Sequence, residues 1–309
     1  MTTHCYACLG ELETSSDYHP KCAKSLFGST IIPRLDIELG KLQTAALAMI
    51  GKTSISGVQK KISVSVSADR LTLQIASEHG FYILKPPTDT YPSLPENEHI
   101  AMLLAKLSKI NVGEFGLIRI EDGLAFLTKR FDRTDDGRKL HQEDFCQLES
   151  LSPSEKYNGS GELCARIIKR FASEPGIETL KLFEQLVFSW WIGNGDLHLK
   201  NISITVDYEG IVKLTPAYDL VSTHLVMEGD PLALPIGGRN KKRQRSTWLK
   251  FAKYCGIGDK AAIRVLDRQA SVLSKAHQLI DNCFLPTPMK EELKNLTKER
   301  SESIVTVGE

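Results

Sequence analysis

The stretch "SWWIGNGDLHLKNISITV", Ser189 to Val206, decides how this 309-residue chain is read. It ends the long apolar segment "TLKLFEQLVFSWWIG" with Gly193 and Gly195, then sets Asp196, His198, Lys200 and Asn201 ahead of a short alternating run. Such a junction suits a polar cap on a buried helix, a metal-binding turn, or the catalytic loop of a phosphotransferase. Asp196 and Asn201 stand in the spacing D-x-x-x-x-N. Phosphoryl transfer needs a carboxylate near the attacking hydroxyl and, five residues on, an amide oxygen that holds magnesium. Taken alone, an aspartate after a glycine caps a turn equally well.

The surroundings sharpen that choice. "NISITV" reads as a strand, and "DYEGIVKLTPAYDL" places Asp219 at the end of a second one, 18 residues beyond Asn201. A further metal-binding carboxylate belongs there, because magnesium takes one or two carboxylates plus phosphate oxygens. Upstream, "KKISVSVSADRLTLQIAS" alternates around a turn at Ala68, Asp69 and Arg70, so Ile62, Val64 and Val66 should share one face of a hairpin with Leu71, Leu73 and Ile75. A third strand, "FYILK", ends on Lys85 and is stopped by Pro86 and Pro87. "ENEHIAMLLAKL" predicts a helix with Ile100, Leu103, Leu104 and Leu107 in a stripe and Glu98 in its first turn. Lys85 would then reach nucleotide phosphates while Glu98 holds that lysine in place. Another strand pair is expected in "FGLIRIEDGLAFLTKRFDR".

From about residue 140 the pattern turns helical, in "ELCARIIKRFAS", in the apolar segment before Gly193, and over 259 to 282 with Ile263, Leu266, Ala270, Leu273 and Ile280. A strand-rich half followed by a helix-rich half predicts an α+β fold of two packed lobes with a cleft between them. The expected division is a Cys/His knuckle over 1–30, a strand-rich N-lobe over 31–135 and a helical C-lobe over 136–309.

Composition narrows the function. With 41% hydrophobic residues the chain can bury a large core. Its 39 basic and 38 acidic residues balance, which argues against a nucleic-acid-coating protein. The first residues, "MTTHCYACLG", lack a charged-then-apolar leader, and no apolar run nears the roughly 18 residues of a membrane helix, so a cytoplasmic protein without membrane partners is expected. Seven cysteines, an odd number, suit metal-binding or buried thiols better than a disulfide framework. Cys5, Cys8, His19 and Cys22 form C-x2-C-x10-H-x2-C, which fits structural zinc or a set of reduced thiols. Between Pro231 and Gly258 there is no acidic residue, while Arg239, Lys241, Lys242, Arg243, Arg245, Lys250 and Lys253 are basic; this is a docking patch or a solvated loop. With no second His or Cys at ligand spacing near it, His198 reads as a brace for its loop, and His277 as a packing residue.

The blocks "SISGVQKK", "YILKPP", "ENEHIAMLLAKL", "KRFDR", "HQEDFCQ", "SWWIGNGDLHLKN" and "LTPAYDLVS", spread over residues 50 to 285, resemble those of HipA-like serine/threonine kinases of bacterial toxin-antitoxin modules, most of all the short HipT form. HipT lacks an N-terminal subdomain of full-length HipA kinases that its modules encode separately as HipS. The resemblance implies a bilobal protein-kinase-like fold with an ATP cleft, Asp196 as catalytic base, Asn201 and Asp219 on magnesium, and Lys85 on the ATP phosphates. "KRFDR" would be the hinge, with backbone near Arg130 and Phe131 on adenine and Asp132 reaching the ribose. Lys129 departs from the common "ERFDR", which removes any acidic side-chain contact from that position. His198 and Lys200 would brace or assist beside the nucleotide.

In the family the "S-x-S-G-x-Q" loop is itself phosphorylated, so Ser54 and Ser56 become candidates for autophosphorylation; the residues alone read as turn-forming hydroxyls. A phosphate there would repel the ATP phosphates. The resemblance further implies an aminoacyl-tRNA synthetase as protein substrate, tryptophanyl for HipT, and as partners a HipS-like small protein and a HipB-like DNA-binding antitoxin, with no direct nucleic-acid binding. Two other readings stand beside it. "GDLHLKN" also resembles the "GDLHxxN" of aminoglycoside and choline phosphotransferases, and the knuckle with the basic stretch suits a non-catalytic nucleic-acid binder. The "SISGVQ" loop favours the protein kinase.

Overall fold

The computed structural model describes residues 4–35, 59–76, 80–121, 123–134, 136–227, 232–239 and 243–305. A six-stranded sheet occupies the first half, in the order β1-β3-β2-β4-β6-β5. Its strands are β1 (Arg34–Leu35), β2 (Ile62–Val66), β3 (Thr72–Ile75), β4 (Tyr82–Lys85), β5 (Phe115–Ile120) and β6 (Gly123–Lys129), antiparallel throughout except where β1 joins β3. The expected hairpin forms, with Val64 opposite Ile75 and Val66 opposite Leu73. Of its second strand only Leu73 reaches the core; Leu71 falls outside β3, and both it and Ile75 stay exposed. Alternation puts all three on one face, but Leu71 precedes β3 and Ile75 ends it, so only Leu73, inside the strand, is covered.

Helix α1 (Pro20–Phe27) and the loop before it lean on this sheet. Tyr6, Leu9, Tyr18, Leu26 and Phe27 are buried in the common core, and the Tyr82 hydroxyl donates to the Leu26 carbonyl at 2.9 Å. Helix α2 (Leu94–Leu107) packs on β5 and β6 on one side and on α8 (Leu273–Asn282) on another. Pro95 in its first turn lets it start at Leu94, so Glu98 lies in the second turn and not the first. With neighbours on two sides, burial runs nearly all round the helix instead of along one stripe.

The second half holds α3 (Phe145–Leu148), α4 (Gly161–Phe171), α5 (Pro175–Trp191), α6 (Arg245–Cys255), α7 (Asp259–Ser271), α8 and α9 (Thr287–Val305). It also contains a three-stranded antiparallel sheet, β7 (His141–Asp144), β8 (Ser203–Val206) and β9 (Val212–Leu214). β7, spelled "HQED", has no apolar alternation; main-chain bonds pair it with β8, and the Thr205 hydroxyl adds a bond to the His141 carbonyl at 3.0 Å. The apolar run over 259–282 is two helices that break at Val272, and α9 follows it, so His277 belongs to the last helix but one. There its ring packs 3.3 Å from the Thr297 hydroxyl.

Helix α5 is the hub. Phe183, Phe188 and Trp191 are fully buried, Trp191 Nε1 donates to Ser301 of α9 at 2.9 Å, and buried Glu178 accepts from the Leu214 N–H at 2.9 Å, tying α5 to β9. The helix stops at Gly193, whose φ is +74° and where a Cβ would lie 2.8 Å from both His224 and Leu296. Both the backbone and the space therefore demand glycine. Gly193→Ala should lose about 1–3 kcal/mol of stability, read as a lower urea midpoint at unchanged slope.

Candidate functional site

Past Gly193 the chain is clamped from one side. The Thr223 hydroxyl accepts the Gly195 N–H at 2.7 Å and donates to the Gly193 carbonyl at 3.0 Å. Leu197 and Leu199 anchor the loop in the core, and the polar side chains between and beside them, Asp196, His198 and Asn201, are buried along cavities. Asn194 Oδ1 accepts the Asp196 N–H at 3.1 Å, and Asn201 Nδ2 donates to the Asp196 carbonyl at 3.0 Å. That last bond orients the Asn201 amide, with its oxygen on the opposite branch. The Asp196 carboxylate accepts from the Tyr157 hydroxyl, and neighbouring Lys156, whose pKa burial lowers, feels the opposing pull of Asp196.

Lys85 ends β4 almost fully buried, with its ammonium between Glu98 of α2 and Asp219, the latter at 2.6 Å. Burial would lower its pKa, but the Asp219 and Glu98 carboxylates outweigh that and push it up to about 12. Asp219 sits in a loop beyond β9 and not at a strand end, at a left-handed φ of +54°. The second Asp219 oxygen takes Lys61 at 2.5 Å. Burial alone would raise the Asp219 pKa; Lys61 and Lys85 hold it well below the usual carboxylate range. Asn97, beside Glu98, grips the same loop twice, donating to the Ser222 carbonyl at 2.9 Å and accepting the Ser222 N–H at 2.8 Å.

These groups converge. Gln59, Lys61, Lys85, Glu98, Asp196, Asn201, Asp219 and Val221 line one small cavity. It adjoins a cavity of about 180 Å³ that shares Lys61, Lys85, Glu98 and Asp219 and is walled by Ile83, Met102, Phe126 and Ala217. Lys129, Arg130, Phe131 and Asp132 line the same space. The Arg130 N–H is already bonded to the Phe81 carbonyl at 2.8 Å, and the Phe131 ring rests on Tyr218, 5.7 Å between centres. Asp132 is gripped by Arg130 at 2.7 and 2.8 Å and by Arg133 at 2.6 Å; burial would raise its pKa, and the two arginines hold it down.

His198 and Lys200 border this region from the side, lining a third cavity with Asn201 and Asp219. Lys200 pairs with Asp144 at 2.9 Å, a residue fixed in turn by a capping box with Gln147. His198 is buried, edge-on to Tyr157 at 5.2 Å. Burial first, then Lys156, pushes its pKa down to about 3, so it is neutral at neutral pH.

Ser54 and Ser56 lie outside the described residues, as do Lys241 and Lys242. In the acid-free stretch, Arg243 is buried over Trp248 and bonded to the Arg239 carbonyl at 2.7 Å, while Arg245 pairs with Asp267 at 2.7 Å; both are spent inside the fold. Outside the main site, the ligand atoms of Cys5, Cys8, His19 and Cys22 all lie within 4.8 Å of one another.

Several members of the site escaped the sequence reading. Lys61 stands in the quoted "SISGVQKK" block without having been singled out, and Asn97 is next to Glu98. Lys156, Tyr157 and Thr223 carry no pattern of their own; only folding brings them to the loop.

Comparison with known proteins follows the same lines. A family model described as HipA-like C-terminal domain matches residues 53–277. Over 219 residues the chain is 33% identical to Y4mE of Sinorhizobium fredii, a kinase by name, covering 67% of this chain and 52% of that protein. It is 28% identical over 193 residues to the serine/threonine-protein kinase toxin HipA of Shewanella oneidensis, covering 56% of this chain and 44% of the toxin. The chain thus spans about half the length of these curated relatives. Among solved structures, HipA of Shewanella oneidensis MR-1, in a complex with HipB and operator DNA, superposes with a TM-score of 0.69 at 23% identity, covering 83% of this chain and 66% of that one. The Helicobacter pylori proinflammatory kinase CtkA gives 0.55 at 17%, over 75% of this chain and 90% of the other. At those identities the likeness is one of fold.

Neutral, buried His198 makes the loop acid-sensitive. Its folded pKa lies below the unfolded value of about 6.5, so the unfolded chain binds the extra proton as pH falls from there toward 3. Its contribution is complete above pH 6.5 and declines by up to about 1.4 kcal/mol per pH unit below it. Urea unfolding at pH 7 and pH 5 should show a smaller loss for His198→Gln than for the unchanged chain.

Proposed function

This chain belongs to the HipA-like C-terminal domain family, and on that premise we propose that it is an ATP-dependent serine/threonine protein kinase, the toxin of a toxin-antitoxin module and of the HipT type. One observation carries the reading: Lys85, Glu98 and Asp219 meet Asp196 and Asn201 on a single cavity, although they come from four places in the chain. The proposed division is a knuckle over 1–30, an N-lobe over 31–135 and a C-lobe over 136–309, with the ATP cleft between the lobes.

In this reading the apolar slot of Ile83, Met102, Phe126 and Ala217 takes adenine. With the Arg130 N–H committed to Phe81, main chain around Phe131 meets the base, and Asp132 keeps lone pairs for a ribose hydroxyl beside its arginines. Lys85, already aligned by Glu98, binds the α- and β-phosphates with no further ordering cost. Lys61 lies close enough to neutralise phosphate charge as well. An Asp219 carboxylate kept ionised and an oriented Asn201 amide fit magnesium, which when bound would offset charge on the transferred group.

Asp196 orients the attacking hydroxyl and accepts its proton. The Tyr157 hydroxyl marks where that donor sits, and a substrate serine or threonine would replace it. His198 and Lys200 hold the loop from the side. The substrate is a protein of translation, an aminoacyl-tRNA synthetase with tryptophanyl favoured, which fits a cytoplasmic location; among the described residues no helix is long and apolar enough to cross a membrane. Ser54 and Ser56 are autophosphorylated, and the added charge repels the ATP phosphates. A HipB-like antitoxin and a HipS-like protein are the proposed partners, the former supported by the HipA-HipB-DNA complex of Shewanella.

Incubating the intact chain and Asp196→Asn with ATP, magnesium and a bacterial lysate, then mapping phosphopeptides, tests this. The intact chain should label a synthetase and Ser54 or Ser56, with Asp196→Asn lower by about 10²–10⁴-fold. No label on any protein would sink the kinase reading, and label on an aminoglycoside or choline alone would move it to a small-molecule phosphotransferase.

A further inference from the structure

We propose that Cys5, Cys8, Cys22 and His19 bind one zinc ion, and that this closed knuckle pins helix α2, and so the Lys85–Glu98 pair, through His99. The metal site stands by itself; its consequence for Lys85 and Glu98 rests on the kinase reading above.

The donor set is three thiols and an imidazole, soft ligands that select zinc over magnesium or calcium. Bond lengths to zinc of about 2.0–2.3 Å imply ligand-to-ligand edges of about 3.5–3.8 Å in a tetrahedron. Cys8 Sγ is 3.4 Å and Cys22 Sγ 4.0 Å from His19 Nδ1, and all four ligand atoms lie within 4.8 Å of one another. The imidazole is already set for the task. Its Nε2 is 2.8 Å from the Glu11 carbonyl and must carry the proton there, which leaves the Nδ1 lone pair facing the thiols.

The main chain is shaped to the same end. The Cys5 N–H donates to the Gly10 carbonyl at 2.9 Å, and Leu9, at φ +59°, donates back to Cys5 at 3.0 Å. A side chain at position 10 would put its Cβ 3.1 Å from the His19 ring. His19 caps α1 and Cys22 falls in its first turn, so H-x2-C presents both ligands on one side of that helix end. Zinc binding would release the thiol protons to solvent.

What the knuckle touches gives the ion its consequence. Between ligands Cys5 and Cys8, the Tyr6 carbonyl accepts the Leu117 N–H of β5 at 2.9 Å. The hydroxyl of Tyr18, next to ligand His19, donates to the Leu117 carbonyl, and Gly116 alone makes room, since a Cβ there would sit 2.6 Å from that oxygen. On the inner side, the main chain of Tyr6 and Ala7 lies against His99, which is fully buried in α2 and edge-on to Phe115 at 5.8 Å. His99 follows Glu98 directly, so the knuckle backs the very turn that aims Glu98 at Lys85.

Both readouts are independent of phosphotransfer and can be made on the intact chain carrying Asp196→Asn. Elemental analysis should find about one zinc per chain, reduced at least about tenfold in Cys8→Ser and Cys22→Ser and kept in His19→Cys. Stripping zinc with a chelator should raise amide exchange across residues 94–107 about tenfold or more while α5 stays protected, and zinc but not magnesium should reverse it. Absence of stoichiometric zinc, or a Cys5–Cys8 disulfide by mass spectrometry, overturns the site. Unchanged exchange in α2, or equal loss in α2 and α5, overturns the coupling. Loss of kinase labelling with these results intact would remove only the catalytic meaning.

Discussion

One buried ammonium organises this molecule. Lys85 has left water almost completely, and an unpaired charge in that position would cost several kcal/mol. It is tolerated because two carboxylates meet it, Glu98 from α2 and Asp219 from the loop after β9. Those carboxylates belong to opposite halves of the chain, so the charge can be satisfied only when sheet, helix and loop are all in place. Asn97 repeats the same connection with neutral bonds, gripping Ser222 with both atoms of its amide. A helix held this way at two adjacent residues has little freedom to rotate, and its neighbour His99 is covered by the knuckle on the far side.

The loop of Asp196 depends on a different device. Here the carboxylate borders a cavity, and apolar anchors and hydroxyls hold the loop alongside the Lys200–Asp144 pair. Leu197 and Leu199 point into the core, while Thr223 bridges Gly193 and Gly195. The two arrangements suit two tasks. In the proposed kinase reading, a group that binds phosphate gains from a fixed positive charge, whereas a group that accepts a proton must keep its carboxylate reachable. Tyr157 shows that reach, because its hydroxyl lies on Asp196 while the side chain remains substantially exposed.

Charges of one sign in the same stretch do different work. Within the acid-free stretch, Arg243 is buried over Trp248 and Arg245 bonds to Asp267 and the Ile304 carbonyl, whereas Arg239, Lys250 and Lys253 stay exposed. A charge used to hold a helix end cannot also serve a polyanion. The knuckle differs from a bare metal loop in the same way. Its apolar residues Tyr6, Leu9, Tyr18 and Leu26 are shared with the main core.

Much of this was legible in the order of residues. Lys85 at a strand end before two prolines, Glu98 on the following helix, D-x-x-x-x-N after a glycine-ended apolar helix, and Asp219 further on are local signals, since each depends on periodicity or turn chemistry within a few residues. Strand β7 was not legible, because "HQED" is held by main-chain pairing that leaves no trace in side-chain pattern. The exposure of Leu71 and Ile75, the break at Val272 and the near-complete burial of α2 all turn on what packs alongside, which no window of sequence contains. So it is with Lys61, Asn97, Lys156 and Tyr157. The sequence by itself determined which chemical groups are present and on which kind of element each rides; the tertiary structure alone decided which of them share a cavity, because contacts between residues more than a hundred positions apart, such as Lys85 with Asp219, exist only once the core has closed.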